Sequence, residues 1–112
     1  MITVQVKRRA DESIYEIKIR GHAGSAEHGQ DLVCAAVSAI SLGSVNAVEM
    51  VLSIELPAKL GKSGFLHLKV PDEYEPEVAE KVQLLLEGMI ASLRAVEMSN
   101  GAYVRIQDTR NY

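Results

Sequence analysis

The stretch GHAGSAEHGQDLVCAAVSAI, residues 21–40, marks a change from strands to a helix and thereby decides the fold. Before it, residues 2–9 and 13–20 alternate apolar and polar side chains, and a short polar link joins them, so they predict a β-hairpin. After it, residues 31–52 form an apolar stretch too long for a strand, which predicts a helix. The same junction carries the only cysteine of the chain, Cys34, and two of its three histidines.

The second half of the chain predicts a strand, a helix and a strand. Residues 65–70 alternate, and Pro76 among acidic side chains is typical of a helix start. That helix should end at Asn100, before a last strand over residues 102–108. The connector at residues 54–63 leaves room for a short extended piece. The order ββαβαβ predicts an α+β fold, a two-layer sandwich in which a small mixed sheet carries two long helices on one face.

The chain has 112 residues, which predicts one domain over residues 1–112. Its net charge of −3 counts against nucleic acid as a direct partner, because such binding depends on Lys and Arg at phosphates. A single cysteine forms no internal disulfide, and the alternating N-terminus does not resemble a signal peptide. No apolar run approaches the ~20 residues of a membrane span. We therefore expect a cytoplasmic protein with no membrane partner.

Cys34 lies where a helix would activate it. Asp31 is a good N-cap, which places the thiol in the first turn, where free backbone amides favour a thiolate and could hold an oxyanion. His22 follows the second strand and could serve as the base. Residue types and spacing alone still favour a structural interpretation, in which Cys34 is a small core residue and His22 a loop residue.

Other side chains near the junction allow fewer roles. The trio His22, His28 and Cys34 lacks the closely spaced ligand pair of zinc sites, so no metal or cofactor is expected. Ser38 and Ser41, one and two turns after Cys34, line a pocket floor or simply permit close packing. Asp31 orients His22 as a triad acid or only caps the helix, and we favour the cap. The first helix is apolar on most faces, which suggests burial against a second subunit.

Gly21-His22, followed by GQDLVCAAVS at residues 29–38, resembles the signature of the ribosomal-processing cysteine proteases, called Prp. The resemblance implies that His22 and Cys34 are the catalytic pair and that Gly21 and Gly29 support a substrate-shaping loop. It implies a homodimer that removes the N-terminal extension of the large-subunit ribosomal protein numbered twenty-seven.

The mechanism expected from this pair is nucleophilic. Cys34 attacks the scissile carbonyl, His22 acts as base and then acid, nearby helix amides hold the oxyanion, and water releases the acyl-enzyme. Two alternatives stay open at this point. One is a non-catalytic ribosome-assembly or ribosomal-protein-binding factor, and the other is a different Cys–His acyl-transfer enzyme.

Overall fold

The computed structural model describes residues 1–21, 31–61 and 65–110. Five strands and two helices follow one another in the order β1 (Ile2–Arg8), β2 (Ile14–Gly21), α1 (Leu32–Leu52), β3 (Ala58–Leu60), β4 (Leu66–Lys69), α2 (Pro76–Ser99) and β5 (Val104–Gln107). The predicted α+β class is confirmed. The connector contributes the short strand β3, so the order gains one strand over the predicted ββαβαβ.

The strands form one mixed sheet in the order β3-β4-β2-β1-β5. Among the strands that the structure describes, the β1–β5 pair is parallel and the three other neighbouring pairs are antiparallel. The two helices pack against each other and bury the same face of the sheet. This is the predicted two-layer arrangement, with both long helices on one side.

The core lies between the sheet and the two helices. Its strand positions follow the two-residue period expected for a sheet with one buried face, and its helix positions follow the helical period. The largest fully buried side chains among the described residues are Val4, Ile14, Ile17, Ile19, Leu66, Leu68, Val48, Val82, Leu86, Met89, Ile90 and Leu93. The opposite face of the sheet carries polar residues, as its alternation predicts.

Tyr15 departs from the predicted pattern. Alternation over residues 13–20 placed it on the core face with Ile17 and Ile19, but its ring is exposed and Ile14 is buried instead. The cause is a register shift between Lys7 and Arg8, which inserts an extra residue into the β1–β2 ladder.

A buried ion network fixes the end of the chain to the sheet. The Arg8 guanidinium donates to both carboxylate oxygens of Asp108 at 2.8 Å and to those of Glu87 on α2 at 2.7 and 2.9 Å. The side chains of Arg8 and Asp108 are 3% and 0% exposed. This bidentate geometry satisfies both buried charges and connects β1, α2 and the segment after β5.

Helix α1 has one buried stripe and an apolar exposed side. Leu32 and Met50 are each 80% exposed and Val51 is 70% exposed. The expectation that no segment is apolar enough to span a membrane is not met here, because α1 passes that test by length and composition. Core helices pass the same test, and the buried stripe of α1 belongs to the core: Val33, Val37, Ser41, Val45 and Val48.

Candidate active site

Gly21 is the last residue of β2 and fixes where the chain leaves the sheet. It pairs with Ile2 across the β1–β2 ladder and has a φ of +97°, which L side chains rarely adopt. A Cβ at this position would lie 2.2 Å from the carbonyl oxygen of Met1. Only glycine fits both constraints, so the direction in which the chain continues toward residue 22 depends on the absence of a side chain at Gly21.

Asp31 is the N-cap of α1, as predicted. Its backbone is extended, with φ −81° and ψ 94°, and its Oδ1 accepts a hydrogen bond of 3.0 Å from the amide of Cys34. Its carbonyl accepts the first helical hydrogen bond, 3.1 Å from the amide of Ala35. The cap satisfies a donor that the first turn would otherwise leave unpaired and holds the backbone of Cys34 in position.

Cys34 lies three residues beyond the cap and is half-buried. Its side chain packs against the hydrophobic core, which limits how the thiol can move. The thiol therefore sits at a helix N-terminus with one side against apolar groups. The core thus holds the sulfur of Cys34 beside the first turn of α1.

The cap changes the expected oxyanion site. The amide of Cys34 already donates its hydrogen bond to Asp31, so in this structure it does not serve as an oxyanion donor. The first turn also contains the amides of Leu32 and Val33, which precede the first helical donors. Any oxyanion contact from this helix end falls to those two amides, or requires the Asp31 cap to open.

The two serines that follow Cys34 on α1, Ser38 and Ser41, differ in burial. Ser41 is 1% exposed, and its hydroxyl donates 2.6 Å to the carbonyl of Val37 one turn earlier, which satisfies it within the helix. Ser38 is half-buried, at the position one turn after Cys34. The packing interpretation is therefore correct for Ser41, and a substrate role for Ser38 stays a prediction.

Three predicted residues of the junction, His22, His28 and Gly29, lie outside the described residues. The structure describes Gly21 at one end of the junction and Asp31 and Cys34 at the other, and the pairing of His22 with Cys34 stays a prediction. Apart from the Gly-His dipeptide, nothing in the sequence indicates the close contact of Gly21 with Met1. Across residues 1–21, 31–61 and 65–110, no group of three or more metal-ligating side chains is assembled.

A cleft of about 470 Å³ lies at the other end of β2, beside the β1–β2 hairpin and the start of α2. Arg9, Ser13, Tyr74 and Glu80 are among the residues that line it. This cleft lies at the end of β2 opposite Gly21, and Cys34 is not among the residues that line it.

Known proteins share this arrangement over nearly the whole chain. The family model described as cysteine protease Prp matches residues 1–105. The ribosomal processing cysteine protease Prp of Bacillus subtilis (strain 168) is 43% identical over 98 residues, which cover 87% of this chain and 88% of that protein.

Two solved structures of the essential ribosomal processing protease Prp from Staphylococcus aureus share the fold. The complex with a covalently linked product peptide has a TM-score of 0.84 at 30% identity, and the complex with a substrate peptide has 0.80 at 29%. Each comparison covers 96% of this chain and 98% of the other.

A half-buried cysteine in the first turn of a capped helix, on a fold shared with peptide-bound protease structures, defines the class. The protein is a cysteine protease. The chain belongs to the cysteine protease Prp family, which confirms the resemblance of its junction motif.

Proposed function

We propose that this protein is a cytoplasmic endopeptidase, with one protease domain over residues 1–112, that removes the N-terminal extension of the large-subunit ribosomal protein numbered twenty-seven. The observation that carries the proposal is the capped, half-buried Cys34 at the helix start of a chain in the Prp family. Relatives at up to 43% identity are ribosomal processing cysteine proteases, which supports a ribosomal-protein substrate.

The proposed mechanism assigns Cys34 as nucleophile and His22 as general base and acid. The proton of the Cys34 thiol moves to the His22 imidazole as sulfur attacks the scissile carbonyl, and the imidazolium then protonates the leaving amine. Water, deprotonated by His22, attacks the thioester and regenerates the thiol. The amides of Leu32 and Val33 are the first-turn donors left for the oxyanion in both steps.

Supporting residues hold this pair in position. Gly21 sets the direction of the chain into His22, and Asp31 holds the backbone of Cys34 through its cap. We assign Gly29 to the support of the substrate site and Ser38 to the surface beside the thiol. The net charge of −3 favours encounter with a basic ribosomal protein.

The experiment is cleavage of the full-length precursor of that ribosomal protein, followed by mass spectrometry of both products. We expect the wild type to release the extension by one cut and Cys34→Ala to release none. His22→Ala should be slower by about 10²-fold or more, because a general base contributes that much. Ser92→Ala is the matched control, since Ser92 is exposed on α2 and its hydroxyl bonds only within the helix.

Cleavage of the precursor by Cys34→Ala at the wild-type rate would refute the mechanism. Failure of the wild type to cut the precursor, while it hydrolyses unrelated peptides or thioesters, would refute the substrate and leave a different Cys–His acyl-transfer enzyme. Binding of the precursor without any cleavage would instead point to a non-catalytic assembly factor.

The functional unit that we propose is a homodimer. Helix α1 exposes large apolar side chains, including Met50 at 80% and Val51 at 70%, which a second copy would bury. Met50→Glu should shift the protein to monomer in analytical ultracentrifugation, and Met98→Glu, which alters an 87% exposed methionine on α2, is the control. A wild-type protein that is monomeric at every concentration tested would contradict this part of the proposal.

A further inference from the structure

The face of the sheet opposite the helices is strongly basic. Cross-strand partners share a face, so the register assigns its members directly. Six Lys and Arg side chains lie on it: Lys7, Lys18, Arg20, Lys59, Lys69 and Arg105. The whole chain carries 12 such residues and a net charge of −3, so half of its Lys and Arg lie on one face of an acidic protein.

The only carboxylate that the described strands place on this face is already paired. Glu16 Oε2 lies 2.8 Å from His67 Nε2, and Glu16 Oε1 lies 3.4 Å from Lys7 Nζ. The hydrogen bond with His67, and to a lesser extent that with Lys7, lowers the pKa of Glu16. Both carboxylate oxygens of Glu16 are therefore engaged within the sheet, and the positive charge of Lys7 offsets the negative charge of Glu16.

Four cations on the face have no such partner. Within the described part of the chain, no salt bridge involves Lys18, Arg20, Lys59 or Arg105. We call these four residues the basic face. They extend from β5 to β3 across five strands, about 19 Å at the usual spacing between neighbouring strands. Lys69 is left out, because the acidic residues Asp72 and Glu73 border it.

An exposed aromatic ring lies on the same face. Phe65 is two residues before His67 and is 37% exposed. A Cβ on Gly61 would lie 2.9 Å from Cδ1 of Phe65, so one side of the ring rests against the backbone of Gly61. The contact with Gly61 holds the ring in place, and the β2–β4 register, which ends at Ile19 with Leu66, puts Arg20 across from Phe65.

We propose that the basic face binds single-stranded RNA, with phosphates at Lys18, Arg20, Lys59 and Arg105 and an unpaired base stacked on Phe65. Unpaired cations beside a preorganised aromatic ring on an open sheet are the combination that single-stranded nucleic acids recognise. An acidic protein fits less well, because lysine is depleted in the cores of protein interfaces and two of the four cations are lysines. The net negative charge of the chain is a sum over both faces, so it does not count against nucleic-acid binding at this one face.

This inference does not depend on the proposed ribosomal substrate or on the catalytic pair. The experiment is fluorescence anisotropy of an end-labelled oligouridine RNA titrated with the wild-type protein. With four phosphate contacts to a single strand, the affinity should fall about 50-fold between about 50 and about 200 mM salt. Lys18→Gln/Lys59→Gln should bind more weakly, and its affinity should fall only about 7-fold over that range.

Two further variants separate stacking from charge. Phe65→Leu should weaken binding by about fivefold or more without changing the salt dependence, since stacking involves no counterions. Lys81→Gln, which removes an exposed charge from α2 on the other side of the sheet, should bind as the wild type does. Hydrolysis of a short peptide should be unchanged in Lys18→Gln/Lys59→Gln, which also shows that this variant is folded.

Any of four results would overturn the proposal, and the first three concern the single strand and its charge. They are absence of binding by the wild type at about 50 mM salt, an unchanged salt dependence in Lys18→Gln/Lys59→Gln, and equal affinity for a poly-glutamate peptide of the same charge. Equal affinity for duplex RNA would also overturn it, because a paired base cannot stack on Phe65.

Discussion

Replacing Gly21 by alanine should lower both the stability of the protein and its activity. The φ of +97° disfavours any L side chain, at a cost of about 1–3 kcal/mol. The new Cβ would also start 2.2 Å from the Met1 carbonyl oxygen and would have to move beyond 3.0 Å. Since both atoms belong to backbone, either the β1–β2 ladder opens at Ile2 or the chain leaves β2 in another direction.

The free energy of unfolding should therefore fall by about 1–3 kcal/mol. The kcat/KM for a substrate peptide should fall by about 10²-fold, because a shift of about 1 Å at the entry to His22 misplaces the base. Urea denaturation and initial rates on the same preparation measure the two effects.

Gly88→Ala is the matched control for this substitution. No heavy atom lies within 4 Å of a Cβ at Gly88, which is in the middle of α2. Alanine there should stabilise the helix by about 0.5–1 kcal/mol and leave kcat/KM unchanged. If Gly21→Ala matches the wild type in both measurements, the reasoning about the strand end is refuted.

Two further substitutions test the cap and the buried ion network. Asp31→Ala should lower the free energy of unfolding by about 1 kcal/mol and reduce kcat/KM. Asp31→Asn should keep both quantities near wild type if the cap to Cys34 is the whole role of Asp31. Equal loss of kcat/KM in the two variants would show that the carboxylate orients His22. Burial is the largest single influence and would raise the pKa of Asp108, but the hydrogen bonds from Arg8 and the Arg110 amide, together with the nearby arginine charges, lower that pKa overall. Its stabilisation is therefore present above the unfolded value of about 3.9 and is lost as pH falls through the lower folded value. In urea denaturation, Asp108→Asn should therefore be less stable than the wild type by about 3–5 kcal/mol near neutral pH. This difference should shrink in acid, and a difference that stays constant across pH would contradict the account.

The elements that local signals define were predictable from the sequence. Asp31 and Pro76 mark helix starts through capping and proline geometry, and the structure begins α1 and α2 there. Strand β3 and the position of Tyr15 were not predictable from the sequence, because both depend on pairing between distant segments. Three residues pair with β4 only once that strand is in place, and the register shift beside Arg8 is a property of two strands together.

The candidate site divides in the same way. The place of Cys34 in the first turn and the cap by Asp31 follow from a few neighbouring residues, so the sequence sufficed for both. The contact between Gly21 and Met1 joins residues twenty positions apart and depends on the β1–β2 register. Which first-turn amide the Asp31 side chain engages was not predictable, because an N-cap side chain can accept from the second or the third residue of the helix.

The most direct test of the central claim, that Cys34 and His22 act as a pair, is the rate of Cys34 alkylation by iodoacetamide near pH 6.5. A free thiol with a pKa of about 8.5 is only about 1% thiolate there, so activation is easy to detect. We expect the wild type to react at least about 10-fold faster than His22→Ala, with circular dichroism showing both to be folded. Equal alkylation rates in the two proteins, both matching a free cysteine, would contradict the account.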